Sequence, residues 1–160
     1  MKSLEEQVVA LLSEYKMKIT TVESCTGGLL SGRLVNVAGV SDVFHEGYIT
    51  YSNEAKERLV GVKKETLQTY GAVSEETARE MAQGAAKVAK ADVALSVTGI
   101  AGPAGASEEK PVGLVYIGCY LQGTTVVKKC NFTGNRMENR QMSVDTALKL
   151  LIDELMKKKK

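Results

Sequence analysis

Histidine, cysteine, aromatic residues and long apolar runs are all scarce in this chain, and each scarcity removes a class of protein. The only histidine is His45, and the three cysteines, Cys25, Cys119 and Cys130, are odd in number with no close pairing motif. Neither a Cys/His zinc site nor a disulfide framework fits that inventory. Nothing approaches the roughly 20 apolar residues needed to cross a bilayer, and Met1 to Lys16 is a charged amphipathic pattern without the core of a signal peptide. The expected setting is therefore cytoplasmic, with no membrane partner. A basic surface is missing too. The net charge is +2, but Lys157 to Lys160 contribute four positive charges, so the remainder carries 2 − 4 = −2. With no basic stripe interleaved with aromatics, nucleic acid is not an expected partner.

What is present is a chain of 160 residues, 44% hydrophobic and 25% charged. That suits one domain, residues 1–160, large enough to bury a real core. The terminal lysines complete the negative end of a helix dipole, with residues 157–160 expected to form a disordered tail.

Periodicity predicts a helix from Ser3 to Tyr15, a buried strand over Ile19 to Val22, and a helix from Thr26 to Val37. His45 to Ser52 reads as a second strand, followed by helical stretches over Asn53 to Val60 and Lys64 to Tyr70. Ser74 followed by Glu75 and Glu76 is a helix start, because a hydroxyl cap and acidic residues match the unpaired N–H groups and the dipole. That helix should reach Lys90. Asp92 to Val97 form an apolar strand. Gln122-Gly123 between Val112 to Leu121 and Thr124 to Phe132 signals a hairpin, and a last helix runs from Arg136 to Met156. Helices between strands imply a three-layer α/β/α fold. Its sheet should be mixed, mostly parallel, of about five strands, and end in an antiparallel hairpin.

Two strands end in glycine-bearing loops, Glu23-Ser24-Cys25-Thr26-Gly27-Gly28 and Thr98-Gly99-Ile100-Ala101-Gly102-Pro103. In open α/β sheets ligands gather where loops leave the carboxyl ends of strands, so both loops are candidates for one crevice. The first presents three possible nucleophiles, Ser24, Cys25 and Thr26, beside helix N–H groups that could take an anion or oxyanion. From this segment alone an ordinary capping role for Ser24 or Thr26 is the commoner reading. Neither loop matches the nucleoside-triphosphate or dinucleotide fingerprint. A Ser-His-Asp triad would have to recruit His45, whereas a buried lysine of lowered pKa can serve as base; Lys56, just after Tyr51-Ser52-Asn53-Glu54-Ala55, is the candidate. Its alternative is a solvated helix lysine.

Those two loops, together with Tyr51 to Lys56, Gly71-Ala72-Val73-Ser74 and Glu108-Glu109-Lys110-Pro111-Val112-Gly113, resemble the CinA C-terminal domain family, which includes stand-alone nicotinamide-nucleotide amidases. The resemblance spans essentially the whole chain in order. It lacks the fused N-terminal domain of larger competence/damage-inducible members, so the short amidase form is expected. The family implies hydrolysis of the carboxamide of nicotinamide mononucleotide to nicotinate mononucleotide and ammonia, without metal or cofactor, in pyridine-nucleotide recycling. It also implies a homo-oligomer.

By resemblance, Ser24 matches the nucleophile, Lys56 its base and Tyr51 a tyrosine close to that pair. Substrate contacts are expected from Thr26, Gly27, Gly28, Thr98, Gly99, Ile100, Ala101 and Gly102, with oxyanion donors among the N–H groups of residues 26–28 or 99–101. Arg136 and Arg140 share a helix face, and with Gly134-Asn135 they are candidates to clamp the 5′-phosphate; pairing with Glu138 or other acids is the alternative. Many family members carry Asp at position 135. Lys110 either reaches the phosphate or neutralises Glu108 and Glu109. Ser74 is chiefly a cap, and Tyr48, Phe44 and Ile100 are candidate walls for a pyridine ring. Two other functions remain open: a non-catalytic nucleotide-binding module of the same fold, and a hydrolase using Cys25.

Overall fold

The computed structural model describes residues 1–158. Its five strands are β1 (Ile19–Glu23), β2 (Phe44–Ile49), β3 (Val93–Gly99), β4 (Leu114–Leu121) and β5 (Thr124–Asn131). They form one sheet in the order β2-β1-β3-β4-β5. β1 runs parallel to both β2 and β3, while β3 with β4 and β4 with β5 are antiparallel. The expected mixed α/β/α architecture is therefore the observed one. β1 is buried at all five positions because it lies between two strands and under helices on both faces, which explains its unalternating sequence.

On one face α1 (Leu4–Tyr15), α2 (Leu29–Leu34) and α6 (Arg136–Lys157) cover the larger core, where Leu12, Leu30, Leu34, Leu95, Ile117, Leu148 and Leu151 are fully or almost fully buried. On the other face lie α3 (Asn53–Val60), α4 (Lys64–Tyr70) and α5 (Glu75–Ala89). This second core is built from small residues, Ala82, Ala85 and Ala86, with Met81, Val60 and Val22. Small residues bring the backbones close. A Cβ on Gly84 would lie 1.8 Å from the carbonyl oxygen of Val60, so α3 sits directly on α5. That contact fixes the helix that carries Lys56.

Local signals act as expected at most helix starts. Ser3, Ser52, Ser74 and Asn135 each accept a backbone N–H as N-caps, and Ser3 with Glu6 and Asn135 with Glu138 form complete capping boxes. Gln122 and Gly123, with φ of 45° and 95°, make the two-residue turn joining β4 to β5. The helix after β1 is the main departure, running only over Leu29–Leu34 rather than from Thr26 to Val37. Gly27 and Gly28 adopt φ of 53° and 108°, so Cys25 to Gly28 form a non-helical turn before the helix begins. β2 stops at Ile49 rather than Ser52: the Thr50 N–H makes a last bond to the Glu23 carbonyl of β1, and Ser52 then caps α3. At the C-terminus α6 extends through Lys157, whose Nζ donates to Glu154 at 2.7 Å; of the tail expected over 157–160, residues 159–160 lie outside the described residues. No helix of the described residues is long and apolar enough to cross a membrane.

Candidate active site

The turn after β1 and the start of α3 meet at the carboxyl end of the sheet. Ser24 is the first residue beyond β1, its N–H held by the Val97 carbonyl of β3 at 2.9 Å. Lys56 lies in the first turn and a half of α3 and points inward, only 1% exposed. Its Nζ is 3.1 Å from Ser24 Oγ and 2.7 Å from the Thr50 carbonyl oxygen. No carboxylate is paired with Lys56 among the described residues, and burial pulls its pKa down from 10.5 to about 8. A lysine so placed is a poor cation and a usable base. The solvated-lysine alternative does not describe it.

Nor do Ser24 and Thr26 cap α2. Its N-cap is Gly28, without a side-chain bond, and the helix terminus is instead filled by Glu23. This fully buried carboxylate accepts from Thr26 Oγ1 at 2.6 Å, Leu30 N at 2.8 Å, Ser31 N at 3.0 Å and Ser31 Oγ at 2.6 Å. An acid at a helix N-terminus is favourable for its N–H groups and dipole alike. Ser24 is thereby left free of local duties.

Arg140 reaches the same turn from α6. Its Nε donates to the Cys25 carbonyl at 2.9 Å and Nη2 to the Thr26 carbonyl at 3.1 Å. Cys25 itself is buried, and loss of solvation pushes its thiol up to about 11, so a thiolate nucleophile is disfavoured. His45, on exposed edge strand β2, does not line the cavity beside Ser24. A cavity of about 230 Å³ opens there, walled by Ser24, Cys25, Tyr51, the Gly99 to Ala101 segment and Arg136.

The remaining expected residues divide by position. Gly99, Ile100 and Ala101 line that cavity, and a Cβ at Gly99 would come within 2.6 Å of Val115, so glycine is required there for β3 to approach β4. Thr98 is 1% exposed and donates to the Ala72 carbonyl, a structural strut. Tyr51 borders the cavity but its hydroxyl accepts from Arg136 Nη2 at 3.2 Å, and no bond joins it to Ser24 or Lys56. Arg136 Nη1 donates to the Gly102 carbonyl at 2.8 Å. Neither Arg136 nor Arg140 pairs with an acid among the described residues; Glu138 is engaged in its capping box.

Several expectations do not survive the geometry. Gly134 and Asn135 offer no free N–H groups, since these donate to Asn139 Oδ1 at 2.9 Å and Glu138 Oε1 at 2.8 Å. Among the proposed oxyanion donors, Gly27 N–H is taken by the Ser24 carbonyl and Ile100 N–H by the Leu114 carbonyl. The N–H groups of Cys25, Thr26 and Gly28 bond no other described residue, and that of Cys25, the residue after Ser24, lies by its own thiol. Lys110 does not line the Ser24 cavity: its Nζ donates to the Tyr70 carbonyl at 2.6 Å and it borders a separate hollow with Ser74 and Tyr116. Phe44 packs against the larger core and Tyr48 bonds Glu46, so of the three ring-wall candidates only Ile100 faces the cavity.

Glu23, Thr50 and Asn139 went unassigned in the sequence. Glu23 had a readable signal, a carboxylate closing a buried strand with hydroxyls three and eight residues on. Thr50 acts through its carbonyl, which any residue could supply. Asn139, 1% exposed, donates to the Ala101 carbonyl at 3.0 Å and so holds the second loop from α6. No group of three or more potential metal ligands occurs among the described residues.

Comparison with known proteins gives a single answer. Residues 1–155 match the family described as the CinA C-terminal domain. A CinA-like protein from Kosmotoga olearia is 59% identical over 147 residues, covering 92% of this chain and 36% of that protein. The chain thus spans little more than a third of the length of the curated relatives it matches. Among solved structures, competence/damage inducible protein CihA from Agrobacterium tumefaciens is 42% identical with a TM-score of 0.91, over 96% of each chain. A competence-damaged protein (CinA) superfamily protein from Klebsiella pneumoniae is 33% identical with a TM-score of 0.93, again over 96% of each.

Proposed function

We propose that this chain, which belongs to the CinA C-terminal domain family, is an amidohydrolase that converts nicotinamide mononucleotide to nicotinate mononucleotide and ammonia through Ser24 and Lys56. The observation that carries the proposal is the buried Lys56 Nζ 3.1 Å from Ser24 Oγ, without a carboxylate partner and with its pKa lowered to about 8. The cavity of about 230 Å³ beside them is of the right order for one ring, since about 150 Å³ is enough for benzene.

In this reading neutral Lys56 accepts the Ser24 proton as Oγ attacks the carboxamide carbon. The carbonyl oxygen becomes an oxyanion, with the unpaired Cys25 N–H as its nearest candidate donor in sequence. Lys56, now protonated, returns the proton to the amide nitrogen, the C–N bond breaks, and ammonia leaves an ester on Ser24. Water then attacks that ester with Lys56 again as base; the nicotinate carboxylate departs and Ser24 regains its proton. Arg136, which lines the cavity and has no acid partner, is the residue best placed for the 5′-phosphate, whereas Arg140 does not line it.

Ammonia release from nicotinamide mononucleotide by the wild type, beside Ser24→Ala and Lys56→Ala, tests the reading. Turnover should fall by at least about 10³-fold in both variants, since loss of a nucleophile or its base removes the covalent route. Ligand-dependent thermal stabilisation with no ammonia would instead describe a nucleotide-binding module.

A further inference from the structure

Arg140 is unusual in having charge, partial burial and no acid. Two of its nitrogens are committed to consecutive carbonyls of the turn that follows the nucleophile, 115 and 114 residues away in sequence. The wiring beyond those carbonyls can be followed link by link. A peptide group is planar and trans, so fixing a carbonyl also fixes the N–H of the next residue on the opposite side. Arg140 and the Leu29 N–H, at 3.1 and 3.0 Å, together hold the Thr26 carbonyl, and hence the Gly27 N–H. That N–H donates to the Ser24 carbonyl at 3.0 Å. The Ser24 carbonyl belongs to the same peptide plane as the Cys25 N–H, which bonds no other described residue and sits on a residue lining the cavity. Gly27 makes the path possible: with φ of 53° it turns the chain back, and a Cβ there would stand 3.6 Å from Arg140 Nη2.

We propose that Arg140 is a positioning residue: through the Thr26 and Ser24 peptide planes it aims the Cys25 N–H at the place where negative charge develops on the reacting carbonyl oxygen. It is not a phosphate contact. The idea rests on the nucleophilic role of Ser24 given above, and departs from the expectation that Arg136 and Arg140 act together on a ligand phosphate. Glu23 secures the same turn from the other side, through Thr26 Oγ1, but it touches no carbonyl of residues 24–26; among the described residues Arg140 is the one side chain that bonds the Cys25 and Thr26 carbonyls, the latter shared with the Leu29 N–H at 3.0 Å.

The test compares wild type, Arg140→Ala and Arg140→Lys in three readouts. The first is steady-state ammonia release from nicotinamide mononucleotide and from nicotinamide riboside. For Arg140→Ala, kcat should fall by about 10²-fold on both substrates, as for loss of one oxyanion donor, with KM changed little on either. Added guanidinium should restore part of that kcat, and the alkaline rise set by Lys56 should stay at the same pH. The second readout is covalent labelling of Ser24 by a small phosphonofluoridate, which needs the nucleophile and the oxyanion donor but neither a pyridine ring nor a phosphate site. Labelling should slow by a similar factor. The third is the melting transition, with Arg140→Lys serving where the alanine variant does not fold. A KM that rises for the mononucleotide alone with kcat retained, or labelling at the wild-type rate, overturns the proposal. If wild type labels at Ser24 but releases no ammonia, the amidase reading fails while the labelling series still decides the role of Arg140. Absence of labelling in wild type overturns both.

Discussion

The turn after β1 and the loop after β3 leave adjacent parallel strands at the same end of the sheet, both carry glycines, and both face one cavity. They are secured by different chemistry. The first is gripped by charges: Glu23 accepts four hydrogen bonds beneath it and Arg140 donates two from α6. The second is tied down mainly by neutral groups, the Ile100 N–H and carbonyl paired to Leu114 and Gly113, and Asn139 on the Ala101 carbonyl. Arg136 adds one bond, to the Gly102 carbonyl. The loop that supplies side-chain chemistry leaves the β-ladder after one bond, from the Ser24 N–H to the Val97 carbonyl, and beyond it adds charged anchors to its own turn bonds. The loop that supplies only a wall continues a β-ladder and needs few.

Several measurements would sharpen or break that contrast, beginning with the anchors themselves. Glu23→Ala strands two backbone N–H groups and two hydroxyls, so urea unfolding should show a loss of about 3–5 kcal/mol. Asn139→Ala should cost about 2 kcal/mol, for one buried amide with a neutral partner at each end. A larger loss at Asn139 than at Glu23 would reverse the distinction drawn here.

Lys56 is buried under the first loop without a counter-charge, and its removal should stabilise the protein. Below pH 8 the lysine is protonated in both folded and unfolded chains, so the folded state bears the full cost of a buried cation. As pH rises from about 8 towards 10.5 the folded state sheds the proton first, and wild-type stability increases. Lys56→Met should therefore gain about 2 kcal/mol at pH 7, a gain that shrinks through that window, while activity is lost. Wild-type kcat/KM should rise through about pH 8 as Lys56 loses its proton, which a pH–rate profile reads directly.

Arg136 belongs to the wall side. Arg136→Ala should raise KM for nicotinamide mononucleotide by about 10-fold and leave the riboside nearly unchanged, because one exposed charge-assisted contact contributes on the order of 1–2 kcal/mol. Equal effects on both substrates would remove the phosphate assignment. The smallest effects are expected from Cys25→Ala and Lys110→Ala, each within about 3-fold in kcat/KM, since a thiol near pKa 11 is not the nucleophile and Lys110 lies at another hollow. A large loss in Cys25→Ala with activity retained in Ser24→Ala would hand the chemistry to the thiol.

Most element positions were legible in the residues. Asn53 to Val60 and Lys64 to Tyr70 matched to the residue, because a cap at Ser52 and a breaker at Gly61 and Gly71 bound them locally. The helix after β1 was misread at both ends: Gly27 and Gly28, with φ of 53° and 108°, hold its start back to Leu29, and it stops at Leu34 rather than Val37. In the same way Arg136 and Arg140 read as an equivalent pair on one helix face. Their different partners come from two separate loops, which no spacing along α6 reports.

Taken alone, the sequence determined the class of fold, the family, the hairpin at the end of the sheet and the two residue types, Ser and Lys, at the centre of the proposed chemistry. These follow from local patterns: periodicity, caps, turn residues and motif order. Tertiary structure decided which lysine is buried, how far its pKa falls, which N–H groups remain unpaired and which arginine borders the cavity. Each of those depends on burial and on partners from distant segments, where desolvation and hydrogen-bond competition act, and neither is encoded at any single position.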